Sequence, residues 1–249
     1  MNTKQMLIDS ICPSRESETV PAPPAPDAPS FQSARRIQES FTAVPERKLL
    51  LRFAARMPTN VNSDHLTLLG FVSMFFAGAS YALARWNSVG LLLATFFLAL
   101  NWFGDSLDGT LARVRNCQRP RYGFYVDHMV DSAGAVFIMA GLTVSRYVDW
   151  RITAGMLAAF LLLSIETYLA TYTLGAFRMS FGKFGPTEIR ILLALGNFAL
   201  WLRPNARVPE LSWRVFDFGG LIAIAGMLLM FAIAAIVHTW TLYKQETQR

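Results

Sequence analysis

Four carboxylates are the residues best placed to do chemistry. Asp105 and Asp108 stand three apart in DSLDGTLAR, and Asp127 and Asp131 four apart in GFYVDHMVD. On helices each pair shares a face, and Gly123 falls on the face of Asp127 and Asp131. These stretches lie in or beside long apolar runs, where a charged group costs about 2.5–3.5 kcal/mol to insert. Carboxylates gathered at one depth also repel one another, so a cation is the natural compensation. Oxygen ligands select hard cations, Mg²⁺ or Mn²⁺, and too few His or Cys lie nearby for zinc. Two such ions about 3.5–4 Å apart clamp a phosphoryl group under attack. Gly109 and Ala112, on or beside the acidic face, let a flat base or a diphosphate come close to the backbone. Arg113 follows at the membrane edge, where a guanidinium grips phosphate in a bidentate way.

Membrane helices must carry these groups. Of 249 residues, 53% are hydrophobic and 16% charged, against about 25% charged in soluble domains. Six apolar segments, 66–84, 89–112, 124–148, 152–176, 188–202 and 216–243, have helical lengths suited to a bilayer, the fifth being short. Before them, in 45–58, Leu49, Leu50, Phe53 and Met57 interleave with Arg47, Lys48, Arg52 and Arg56. That pattern predicts an amphipathic helix lying on the membrane surface. The expected fold is an all-α integral membrane protein with six transmembrane helices and this N-terminal interfacial helix. Residues 1–44 are polar and Pro-rich, which predicts a disordered tail, and contain no apolar core for a cleavable signal. Residues 244–249 form a short tail.

The net charge of +6 sits between the apolar runs. Anionic lipid headgroups and the positive-inside rule explain it better than nucleic acid does. Arg47, Lys48, Arg52, Arg56, Arg113, Arg115, Arg119 and Arg121 fall on one side if there are six spans. This places both termini and the acidic site at the cytoplasmic face of a bacterial-type inner membrane. Cys12 and Cys117 are too far apart in sequence to suggest a disulfide framework.

The whole constellation resembles the signature of the CDP-alcohol phosphatidyltransferase family, D-x-x-D-G-x-x-A-R, a spacer, then G-x-x-x-D-x-x-x-D. Asp105, Asp108, Gly109, Ala112, Arg113, Gly123, Asp127 and Asp131 match it, with a spacer of nine residues where seven or eight is usual. The resemblance spans 45–243 and implies transfer of a phosphatidyl group from a CDP-linked lipid to an alcohol acceptor, with release of CMP. It implies that Asp105, Asp108, Asp127 and Asp131 ligate Mg²⁺ or Mn²⁺, as two ions, and that Asp131 is the general base. The CDP part would lie on Asp108, Gly109, Ala112, Arg113 and Gly123. Thr67, in VNSDHLTLLG, resembles the family's P-N-x-x-T-x-x-G stretch near the nucleotide, although Ser63-Asp64 stands where Pro-Asn is common. The same residues also read as an ordinary helix N-cap. A homodimer is a further implication.

Other features allow more than one reading. Arg178, Lys183 and Arg190 in RMSFGKFGPTEIR could bind a phosphate of the acceptor or serve only as positive-inside anchors. Glu166, with Tyr168 and Tyr172, could line the acceptor cavity or form a structural pair. Membrane carboxylates also mark ion pathways, so a transporter is an alternative, though it leaves D-G-x-x-A-R unexplained. An intramembrane prenyltransferase would release pyrophosphate instead of CMP. A CDP-amino-alcohol donor acting on a diacylglycerol acceptor is a further possibility.

Overall fold

The computed structural model describes residues 35–37, 43–174, 176–178, 186–205 and 213–247. The expected tail lies almost wholly outside the described residues, as does Lys183. Seven helices are present among those described: α1 Ala43–Arg56, α2 Ser63–Leu83, α3 Val89–Val114, α4 Pro120–Val144, α5 Trp150–Leu174, α6 Pro186–Leu202 and α7 Val215–Thr247. Apart from a three-residue parallel pairing of β1 (Arg35–Ile37) with β2 (Ala176–Arg178), the described secondary structure is helical.

Four helices, α2, α3, α5 and α7, are long and apolar enough to cross a membrane. The other two expected spans do not meet that standard. α6 has only 17 residues, and α4 carries Arg121, Asp127 and Asp131 within its length. The chain is a multi-pass integral membrane protein. Its exposed surface agrees, with Phe75, Phe96, Leu192, Leu229 and Ile236 all outward, as hydrocarbon requires and water would not tolerate.

Local chemistry sets the turn between the acidic helices. α3 ends at Asn116, whose φ of 55° is left-handed. Cys117 N–H returns to Ala112 O at 3.0 Å and Asn116 N–H to Arg113 O at 3.2 Å. This is a Schellman closure, and Asn tolerates its αL position better than most residues. Pro120 then starts α4, where a missing N–H costs nothing. The chain's other cysteine, Cys12, lies outside the described residues, and with it the expectation about the pairing of the two.

α2 is the central helix, packed against α3 and α4. The α2–α3 contact is backbone on backbone at Gly104, where a Cβ would come within 2.6 Å of Leu66 O and 2.8 Å of Gly70 N. Small residues are what let helices associate in lipid, which gives no hydrophobic drive between them. α6 docks on α3 and is tied there by Asn197, buried, whose Nδ2 donates to Tyr81 Oη at 2.9 Å and Thr95 Oγ1 at 3.0 Å. On α1, Leu50 and Ala54 turn inward against Leu66, Leu107 and Leu111. Leu49, Leu51 and Phe53 are exposed, while Leu50 and Met57 of the expected apolar face pack on the protein.

Candidate active site

The four aspartates converge. One narrow cleft is lined by Thr67 and Gly70 of α2, Asn101, Asp105 and Asp108 of α3, and Asp127, Val130 and Asp131 of α4. Helical spacing accounts for the grouping: Asn101, Asp105 and Asp108 follow one another around a single face of α3.

The carboxylates are held differently. Asp108 is buried; its Oδ2 accepts from Thr67 Oγ1 at 2.6 Å, and its Oδ1 accepts from the N–H of Gly109. Ser63 Oγ donates to the Asp108 backbone carbonyl at 2.9 Å, a second tie between α2 and α3. Asp105 Oδ2 accepts from Arg190 Nη2 of α6 at 2.8 Å. Asp127 is half-buried, and Asp131 is exposed at the mouth.

Gly109, Ala112, Arg113 and Gly123 do not line the cleft. They lie on α3 and α4 toward the connecting turn, with Arg113 exposed and its Nη2 donating to Thr110 Oγ1 at 3.0 Å. A Cβ at Gly123 would meet nothing within 4 Å, so that position opens on free space. Of the basic residues expected near an acceptor, Arg190 reaches the acidic group. Lys183 is outside the described residues, and the Arg178 side chain is not described either.

Asp64 pairs with Arg119 at the surface and is not part of the cleft lining. The hydrogen bond that Arg119 donates to Asp64 raises the guanidinium above its usual range. Asn62 is the N-cap of α2, with His65 Nδ1 accepting from its N–H at 3.2 Å. Both readings of this segment therefore meet in one place, since Thr67 lies in the turn after the cap and reaches Asp108. Glu166 is not in the cleft lining; it pairs with His238 of α7 at 2.6 Å, joining α5 to α7. Tyr172 is 84% exposed.

The cleft suits a hard divalent cation by donor chemistry, because the polar side chains of its lining are four carboxylates, one hydroxyl and one amide. Asn101, absent from the sequence reading, contributes to this fit. Its Nδ2 is spent on Gly70 O at 3.1 Å, which leaves Oδ1 buried with no partner. The i, i+4 spacing to Asp105 was the available signal. Among the described residues, no three carboxylate, imidazole or thiol groups already stand as a ready ligand set. Asp105 is drawn toward Arg190, and Asp108 toward Thr67 and Gly109.

Comparison with known proteins agrees with this geometry. Residues 61–243 match the family described as CDP-alcohol phosphatidyltransferase. An archaetidylinositol phosphate synthase of Pyrococcus horikoshii is 30% identical over 113 residues, 45% of this chain and 53% of that protein. An uncharacterized protein of Aquifex aeolicus is 33% identical over 150 residues, 57% of this chain and 71% of that protein. The chain thus spans about half the length of the archaeal relative. The matched segment covers well over half of the sequence and contains every residue of the cleft, so the chain is an enzyme of the CDP-alcohol phosphatidyltransferase family.

Proposed function

We propose that the protein moves a phosphatidyl-type group from a CDP-linked lipid to an alcohol that itself bears a phosphate, releasing CMP. The observation that carries this reading is the convergence of Asp105, Asp108, Asp127 and Asp131 on one cleft. Asp105, Asp108 and Asp127 would hold divalent cations, Mg²⁺ or Mn²⁺ as a pair, with Asp131 sharing them and Asn101 Oδ1 close at hand. Bound there, the ions supply positive charge that offsets the charge growing on the departing phosphate.

The protein's own groups do the rest. Gly109, Ala112 and Gly123 leave room for the cytidine diphosphate, and Arg113 reaches its phosphates. Asp131, the most exposed of the four, takes the proton of the acceptor hydroxyl. The acceptor oxygen bonds to the phosphorus that carries the lipid. The bond from that phosphorus to CMP breaks, and its electron pair leaves on CMP. Arg190 supports a phosphorylated acceptor, since its guanidinium stands at the cleft beside Asp105. The inositol phosphate in the name of the archaeal relative supports the same class. With α4 and α6 as further crossings there are six spans, and the basic residues of α1 and of the α3–α4 turn then share the cytoplasmic side with the cleft.

The deciding assay uses purified enzyme with CDP-diacylglycerol and Mg²⁺ or Mn²⁺. Inositol phosphate, glycerol 3-phosphate, serine and free inositol are offered in turn, and CMP is read. CMP release is expected with a phosphorylated acceptor, and chelation by EDTA should abolish it until metal is restored. No acceptor-dependent CMP in any arm would sink the proposal and favour an ion pathway.

Thr67→Val keeps the shape of the side chain and deletes the donor to Asp108. A hydrogen bond to a charged group contributes about 1.5–3 kcal/mol, so kcat/KM for CMP release is expected to fall about tenfold or more. A titration of activity against Mn²⁺ should show a weaker apparent metal affinity in the same variant. Unchanged values on both axes would mean that Thr67 does not set the Asp108 carboxylate.

A further inference from the structure

Glu46 lies before the segment matched to the family, 61–243, and is the one acid in the otherwise basic helix α1. An acid on a surface helix ordinarily faces water. This one turns inward along the face of Leu50 and Ala54, four and eight residues on. Glu46 Oε1 accepts from Trp102 Nε1 at 2.8 Å and from Ser106 Oγ at 3.2 Å, both on α3. Thr187 Oγ1 of α6 lies 3.1 Å from Oε1 and 3.2 Å from Oε2. One carboxylate thus joins three helices, at the first turn of both α1 and α6, where negative charge is favoured by the helix dipoles.

The placement of the donors gives the contact a consequence for the cleft. Trp102 and Ser106 bracket Asp105 on α3, and Thr187 precedes Arg190 by three residues on α6. The two elements that Glu46 joins are therefore the ones that carry the Arg190–Asp105 ion pair at 2.8 Å. We propose that Glu46 is a positioning residue. It fixes the start of α6 against α3, so that Arg190 stands at the cleft and receives the phosphate of the acceptor. Glu46 itself touches no substrate. Docking of α1 does not depend on it, because Leu50 and Ala54 hold that helix against Leu66, Leu107 and Leu111. The inference rests on the function proposed above for Arg190.

The experiment compares the wild type with E46A, E46Q, T187V and R190Q as full chains in lipid nanodiscs, reading CMP release against acceptor and donor concentration separately. E46A is expected to raise the acceptor KM about tenfold with the donor KM unchanged, a coupling of the size seen between side chains in one network. E46Q keeps an acceptor oxygen for Trp102 and should recover most of the loss. T187V, which removes only the α6 donor, should raise the acceptor KM in the same direction; if E46A does not fold, T187V decides alone. On the R190Q background E46A should add nothing, because its effect runs through Arg190. An acceptor KM unmoved in both E46A and T187V, or an E46A effect undiminished on R190Q, overturns the role of Glu46. A wild type that releases no CMP with any acceptor overturns the underlying function instead.

Discussion

Asp131→Asn enzyme is expected to release CMP two to four powers of ten more slowly than the wild type, at saturating donor, acceptor and metal. Asn has the shape of Asp but no affinity for a proton at neutral pH, and a positioned general base contributes about 10²–10⁴ in rate. The loss should fall on kcat with little change in either KM, the mark of an interaction made only in the transition state. Raising Mn²⁺ should not restore it. Turnover within about tenfold of wild type would remove Asp131 from the role of base.

The four carboxylates are not interchangeable, and their surroundings say why. Asp108 is buried and held at both oxygens, by Thr67 and by the Gly109 N–H. A group fixed from two sides is suited to ligation, which rewards preorganisation. Asp131 is exposed at the cleft mouth, where an incoming hydroxyl can reach it. Asp105 is intermediate: its side chain is 38% exposed and already pairs with Arg190. On the function proposed above, a cation held by Asp105 would compete with the guanidinium of Arg190, which would then be open to the phosphate of the acceptor.

How much of this was legible in sequence depended on whether the partners were close along the chain. The acidic faces were readable because i, i+3 and i+4 spacing fixes which residues share a side of a helix, and Asp105, Asp108, Asp127 and Asp131 do line one cleft. Helix limits were readable within a few residues. α4 begins at Pro120, earlier than the apolar segment, because polar Arg121 and Tyr122 are good enough helix residues once proline has started the turn. α7 runs on to Thr247 for the same reason, its last turns being polar but helix-forming. Glu46 was not legible as a structural acid, since its partners lie 56, 60 and 141 residues away. A structural pair was one of the two readings of Glu166, but its partner could not be named: only the packing of α5 on α7 brings His238 to it from 72 residues away.

Close helix crossings were readable only in part, since small residues such as Gly70 and Gly78 suggest packing without naming the partner helix, and they give the second large effect. Gly141→Leu is expected to yield little assembled enzyme, and Gly141→Ala an enzyme destabilised by roughly 1–3 kcal/mol, the range for overpacking. α4 crosses α2 at Gly78 and Gly141. A Cβ at Gly141 would sit 2.0 Å from Gly78 O and 2.6 Å from its carbonyl carbon, and a Cβ at Gly78 would sit 2.3 Å from Phe137 O. These neighbours are backbone and cannot swing aside, so the helices must separate. In hydrocarbon there is little else to hold them, because packing and polar ties supply the attraction between helices. Separation at this crossing also spreads the helices that carry Thr67 and Asp127, so activity should fall with stability. At about 2–4 °C per kcal/mol for a chain of this size, Gly141→Ala should lower the detergent melting temperature by roughly 2–12 °C. Gly226→Ala on α7, where an added Cβ meets nothing within 4 Å, should leave it unchanged. Equal melting temperatures for the two alanine variants would show that the α2–α4 crossing does not hold the cleft together.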